Sequence, residues 1–249
     1  VVFSMDAPET YEPQAFRLSF AEAARRGIIF RYQVIISVIT SPQVTNELLK
    51  YGEVILDGDS IRAREVANQL ALKDAIAKSG ATKVFTFHNR VDSAKWFATD
   101  WAGGILAHVS DFKPFHVNGA MPTGLRERIM REFRASPRAI LTNARCLTEG
   151  VDLPAVDMVA FMSPRRSKID IVQATGRAMR ASPGKQAGFV LVPLYVEQAA
   201  GENVTQAIAR ADFEDVWQVL QSLQEQDEAL AETIGQLRED RGRGDVLSE

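Results

Sequence analysis

The sequence predicts an α/β fold: a mostly parallel sheet covered by helices on both faces, with a helical extension after it. Three observations predict it. Short apolar runs rich in Val, Ile and Phe alternate with longer stretches of helical periodicity. The strand–helix–strand spacing implies right-handed crossovers between parallel neighbours. After Pro193 the composition turns polar and acidic while apolar residues keep a helical spacing.

Taken in order, residues 1–30 read as a connector, with the turn-rich "APETYEP" leading to a helix at Ser19–Gly27. Residues 31–196 hold the sheet. Its strands are "YQVIISVI" from Tyr32, "KVFTF" from Lys83, "FHVNG" from Phe115, "RAILTN" from Arg138, "DMVAFM" from Asp157 and "GFVLVPL" from Gly188. Helices are expected at Ile61–Ser79, Asp92–Leu106, Gly124–Arg134 and Lys168–Arg180. Residues 197–249 form the acidic extension: one or two helices over Thr205–Leu237, then a frayed end, "REDRGRGDVLSE".

Bulk properties narrow the function. The chain has 249 residues, 46% of them hydrophobic and 24% charged, enough for a sizeable core. Its longest apolar runs are too short to span a bilayer. One cysteine, Cys146, allows no internal disulfide and suits a reducing cytoplasm. The opening "VVFSMD" reads as the interior of a longer protein. Net charge is −3 but uneven: Lys113–Lys185 carries 13 Lys/Arg against 6 Asp/Glu, and Gln186–Glu249 carries 4 against 13. A basic middle suits a polyanionic partner, and amphipathic helices with solvated faces produce the same asymmetry.

In such sheets ligands collect in the loops after the strands, which here begin at His88, Gly119, Asn143 and Ser163. The loop "TNARCLTEGVDLPAVD", Thr142–Asp157, offers a hydroxyl and an amide at a strand end, a glycine and an acid. Small groups and free N–H at such a turn suit phosphate or sugar oxygens. Asp152 is placed to accept from a ribose hydroxyl or a metal-bound water, or simply to cap the next segment. In the helix of "QATGRAMR", Gln173, Arg177 and Arg180 share one face, and Ala174 and Gly176 keep it uncrowded. No acid stands three or four residues from either arginine. A guanidinium there is aimed at a phosphoryl group or paired across the fold.

Together these stretches resemble motifs V and VI of the superfamily 2 helicases, the DEAD/DEAH-like and restriction-enzyme-like nucleic-acid motors. "QATGRAMR" fits the Q-x-x-G-R-x-x-R pattern of motif VI. "KVFTFHNRVDSAKWF" resembles motif IV, and "HVNGAMPTGLRERIMREFR" resembles the family's strand, turn and arginine-bearing helix, all in family order. The resemblance spans about Val34 to Leu194. It implies a RecA-like three-layer fold, the second of two such domains in an ATP-dependent helicase or translocase. It implies that Arg177 and Arg180 are arginine fingers for ATP, that Gln173 and Gly176 lie by the nucleotide, and that Gly150 and Asp152 couple nucleotide to cleft. It also implies that His88, Asn89, Arg90, Thr142, Asn143 and Arg145 contact a nucleic-acid backbone.

The sequence contains no G-x-x-x-x-G-K-[ST] phosphate loop. ATP and Mg²⁺ are therefore expected to be held mainly by a first RecA-like domain, with this chain inactive as an ATPase alone. "DEAL" at Asp227 lies in a polar helical pattern and matches a DEAx box by letters only. His88, His108, His116 and Cys146 lack metal-ligand spacing, so no metal site is expected. Trp96 and Trp101 read as core and rim of one helix rather than a base-stacking platform. Phe85 and Phe87 read as core. Motif VI opens on Gln173 rather than the His of DEAD-box proteins, which favours DNA over RNA as the track. Two other readings stay open: a non-hydrolytic nucleic-acid or partner-binding module, and a doubly wound enzyme such as a nucleotide-sugar transferase.

Overall fold

A computed structural model describes residues 20–50, 60–99, 104–144, 156–163, 168–178, 180, 187–211, 213–225, 227 and 230–234. Six strands, β1 (Tyr32–Thr40), β2 (Lys83–His88), β3 (Lys113–Asn118), β4 (Ala139–Ala144), β5 (Met158–Phe161) and β6 (Gly188–Val196), form one sheet in the order β1-β6-β5-β2-β4-β3. Every pairing is parallel. β4 and β5 are buried at every position, as central strands covered on both faces must be.

Successive side chains leave opposite faces of a strand, and β2 shows what each face meets. Phe85 and Phe87 join the core that includes Met130 and Phe133 of α5 (Thr123–Ala135) and Ile171, Ala174 and Ala178 of α6 (Lys168–Ala178). Val84 joins the opposite core with Leu72, Ala75 and Ile76 of α3 (Ser60–Ser79) and Phe97 of α4 (Val91–Phe97). The expected α/β architecture, helices on both faces of a parallel sheet, is what the chain adopts.

α3 stops at Gly80, whose φ of +69° is the left-handed conformation that closes a helix cheaply only with glycine; its N–H donates to Ile76 O at 2.9 Å. The helices α7 (Val204–Arg210) and α8 (Glu214–Gln224) follow β6. Asn203 starts α7 with a reciprocal capping box to Gln206. Ala207, Val216, Val219, Leu220, Leu223 and Ile234 enter the same core as the sheet. The described part of the extension is therefore packed on the strands.

Three local expectations need correction. Helix α2 (Ser41–Lys50) follows β1 directly, although no helix was read there. The helix expected over Asp92–Leu106 is only α4, Val91–Phe97, with a separate 3-10 turn at Ile105–Ala107. Helix α6 ends at Ala178, and Arg180 instead forms an antiparallel bridge with Ile29, between β1 and α1 (Phe20–Arg25). Arg180 is therefore not on a continuous helical face with Gln173.

Candidate nucleotide and nucleic-acid site

The chain runs from β2 through α4 on one face of the sheet, and from β5 through α6 on the other. β2 and β5 are neighbours, so the connections leaving their carboxyl ends part to opposite sides. That is a topological switch point, where a parallel sheet leaves a crevice for ligand. A cavity of about 330 Å³ lies there, at the lower end of the ~300–1,000 Å³ range of small-ligand sites. Its walls include His88 at the end of β2, Asn89 and Arg90 after it, Met162 and Ser163 after β5, Asn68 and Gln69 of α3, and Val219 of α8.

The last residue of β2 and the two that follow divide by exposure. His88 is buried, with Nε2 2.9 Å from the Thr86 hydroxyl and its ring 5.0 Å from that of Phe97. Asn89 and Arg90 are exposed. So the first residue anchors the loop from below and the next two present polar groups to solvent. Trp96, on α4, lines the cavity and is 57% exposed, while its neighbour Phe97 is buried. The pair Trp96 and Trp101 was expected to be core and rim of one helix; Trp96 is exposed and not core, and Trp101 lies outside the described residues.

At the end of β4, Thr142 and Asn143 are fully buried. The Thr142 hydroxyl bonds His116 Nδ1 at 2.9 Å and Phe115 O at 3.3 Å. Asn118 Nδ2 reaches His116 Nε2 at 3.0 Å. His116 is the hub of this network. Burial, with the Lys95 ammonium as a smaller influence, pushes its pKa down from 6.5 to about 4. The strand end is thus held by a chain of hydrogen-bonded polar groups, Thr142 and Asn118 buried and His116 half-buried. Arg145, Gly150 and Asp152 lie outside the described residues.

On α6, Ile171, Ala174, Thr175 and Ala178 are buried, at the three- and four-residue steps of one helical face. This face lies against β5, β6 and α8, and Lys168 closes the packing with an ion pair to Glu225. Gln173 is left exposed. A Cβ built on Gly176 would meet nothing within 4 Å, and no left-handed φ demands glycine there. What the glycine leaves is open space, which suits the close approach of a phosphate. Arg177 belongs to the helix, but its side chain lies outside the described residues. Arg180 is exposed.

Two further clusters escaped the reading of the sequence. Glu47 Oε1 lies 3.5 Å from His108 Nδ1, with both side chains buried, and His108 Nε2 lies 3.1 Å from Gln69 Oε1 on the cavity wall. At the other end of the sheet, Asp157 Oδ2 accepts from Thr82 N–H, the Thr82 hydroxyl and Lys83 N–H at 2.9, 2.8 and 2.9 Å. Neither has a local sequence signal, because each joins segments far apart in the chain. Among the described residues no cluster of His, Cys, Asp or Glu is placed to hold a metal, and no helix is long and apolar enough to cross a membrane.

Residues 67–182 match the helicase conserved C-terminal domain. The chain is 25% identical over 203 residues to the probable helicase of African swine fever virus, covering 81% of this chain and 22% of that protein. It is 25% identical over 150 residues to an ATP-dependent rRNA helicase of Pyricularia oryzae, covering 57% and 28%. Among solved structures it is similar to the ATP-dependent Type ISP restriction-modification enzyme LlaBIII bound to DNA, with a TM-score of 0.72 and 25% identity, covering 91% of this chain and 16% of that one. The yeast DEAD-box splicing factor Prp28 shares the fold, with a TM-score of 0.50 at 16% identity over 79% of this chain and 33% of that one. The chain spans about a fifth of the length of the viral helicase and less of the restriction enzyme.

Proposed function

From the premise that residues 67–182 form a superfamily 2 helicase C-terminal domain, we propose that this chain is the second motor domain of an ATP-dependent helicase or translocase. The observation that carries the proposal is the stretch Gln173–Arg180. One face of its helix is buried in the core; Gln173 and Arg180 are exposed, and the space beside Gly176 is open.

In this reading Arg177 and Arg180 supply positive charge to the γ-phosphate of ATP held mainly, with its Mg²⁺, by another RecA-like domain outside this sequence. A planar guanidinium donates two parallel hydrogen bonds to phosphoryl oxygens and stabilises charge that develops during transfer. The room at Gly176 and the exposed Gln173 amide fit a nucleotide at this surface. Gly150 and Asp152 couple it to the cleft. The chain by itself, whose sequence has no phosphate loop, does not hydrolyse ATP.

Asn89 and Arg90, exposed beside the switch-point crevice, contact the phosphate backbone of nucleic acid, with Arg145 joining them. His88, Thr142 and Asn143 are buried and serve the same surface by fixing the strand ends that carry it. DNA is the favoured track: motif VI begins with Gln173, and the similar restriction enzyme is one bound to DNA. A cytoplasmic location goes with the same reading. The test is nucleic-acid-stimulated ATP hydrolysis by the full-length protein carrying Arg177→Ala or Arg180→Ala. Loss of stimulated hydrolysis supports the assignment, and hydrolysis at the wild-type rate rejects it.

A further inference from the structure

Trp96 stands over half exposed on a cavity wall. An indole offers a broad apolar face for stacking together with a polar N–H, which is why Trp is enriched at binding surfaces. Its place is fixed from beneath: the next residue, Phe97, is buried against the His88 ring at 5.0 Å, and Trp96 O accepts from the Thr99 hydroxyl at 2.7 Å. Asn68 lines the same cavity. Its amide nitrogen donates to Met162 O at 2.7 Å, so its amide oxygen remains an acceptor. Ser93 adds a hydroxyl to the lining. Two guanidiniums flank these groups. Arg90 is exposed, and Arg64 lies 3.9 Å from Asp215 of α8.

A flat π-surface, an amide acceptor, a hydroxyl and flanking guanidiniums together match one nucleotide of a polynucleotide: ring, base edge and phosphate. The volume, about 330 Å³, suits a single small planar group and not a folded segment. We propose that the crevice between the ends of β2 and β5 captures one unstacked base of single-stranded nucleic acid, stacked on Trp96, with Arg90 on its phosphate. The proposal rests on the reading of this face as the nucleic-acid surface and adds to it a contact to a base. Every base has a π-face, so the contact holds the strand without selecting sequence.

The experiment measures binding of the full chain to fluorescent oligodeoxythymidylate and oligouridylate, and to matched strands carrying abasic sites. The wild type is expected to bind the better intact strand about tenfold more tightly than its abasic counterpart. Trp96→Ala removes that difference, leaves abasic binding unchanged and keeps the wild-type melting temperature. Trp96→Phe restores most of it. Arg90→Ala weakens intact and abasic binding alike and lowers the salt dependence. Equal wild-type binding of intact and abasic strands overturns base capture while leaving the backbone-contact reading standing. Wild-type binding by Trp96→Ala overturns it in the same way. Competition by free thymidine or uridine monophosphate as effective as by the strand overturns it in favour of a mononucleotide site. Absence of any binding at low salt overturns base capture and the nucleic-acid reading together.

Discussion

Nδ1 of His116 lies 2.9 Å from the hydroxyl of Thr142, and the two residues stand opposite each other in the β3–β4 register. The neighbouring bonds decide which group donates. Ala120 N–H donates to Asn118 Oδ1 at 3.0 Å, which turns the Asn118 amide nitrogen toward His116 Nε2. An amide nitrogen only donates, so Nε2 accepts and Nδ1 carries the ring proton. Nδ1–H then donates to Thr142, whose hydroxyl donates to Phe115 O. Protonating Nε2 would break the Asn118 bond, so the network as well as burial favours the neutral ring.

The pH dependence of stability follows. The folded-state pKa of His116, about 4, is below the unfolded value near 6.5. The stabilisation is therefore fully present above pH 6.5 and is lost as pH falls toward 4. Solvent reaches part of the ring, so the contribution is on the order of 1–2 kcal/mol. Urea unfolding on either side of this window is expected to show a larger loss in the wild type than in His116→Gln. Equal losses would remove His116 from the account.

Asp157 ties the start of β5 to the start of β2 through three accepted hydrogen bonds. Replacing it with Ala leaves two backbone N–H groups and a hydroxyl without that acceptor. The expected loss is about 2–3 kcal/mol, since bonds to a charged acceptor exceed neutral ones. Equilibrium denaturation measures it, and a change under about 0.5 kcal/mol, the range of ordinary surface substitutions, would show that water replaces the carboxylate.

Glu47 Oε1 and His108 Nδ1 lie 3.5 Å apart with both side chains buried, and His108 also holds Gln69 on the cavity wall. Removing one partner of a buried pair is expected to cost more than its share of the contact, because the other is left without it. A double-mutant cycle with Glu47→Gln and His108→Ala should give a coupling of about 1–3 kcal/mol. Additive single effects would show that the two side chains do not interact in solution.

The six strands were legible because burial on both faces forces compact runs of β-branched and aromatic residues such as "YQVIISVI" and "DMVAFM". Their order followed only once the register was known. Helix α2 was not legible: "SPQVTNELLK" opens with Ser and Pro, which mark a turn as readily as a helix start. The end of α6 depends on the bridge between Arg180 and Ile29, some 150 residues apart, which local periodicity cannot show. The network at His116 was not legible for the same reason, since its partner Thr142 reaches it across β3 and β4. The nucleotide-facing candidates were legible as a motif, Gln173 to Arg180. The cavity beside Trp96 was not, because it is assembled from strand ends and helices far apart in sequence.

The central claim is that Arg177 and Arg180 act on a phosphoryl group rather than on the fold. Single-turnover hydrolysis of ATP by the full-length protein, at saturating nucleic acid and with nucleotide binding measured in parallel, tests it most directly. The account predicts that Arg177→Ala and Arg180→Ala each keep nucleotide affinity and lower the hydrolysis rate by about 10³–10⁵-fold. Hydrolysis at the wild-type rate in both variants would contradict it.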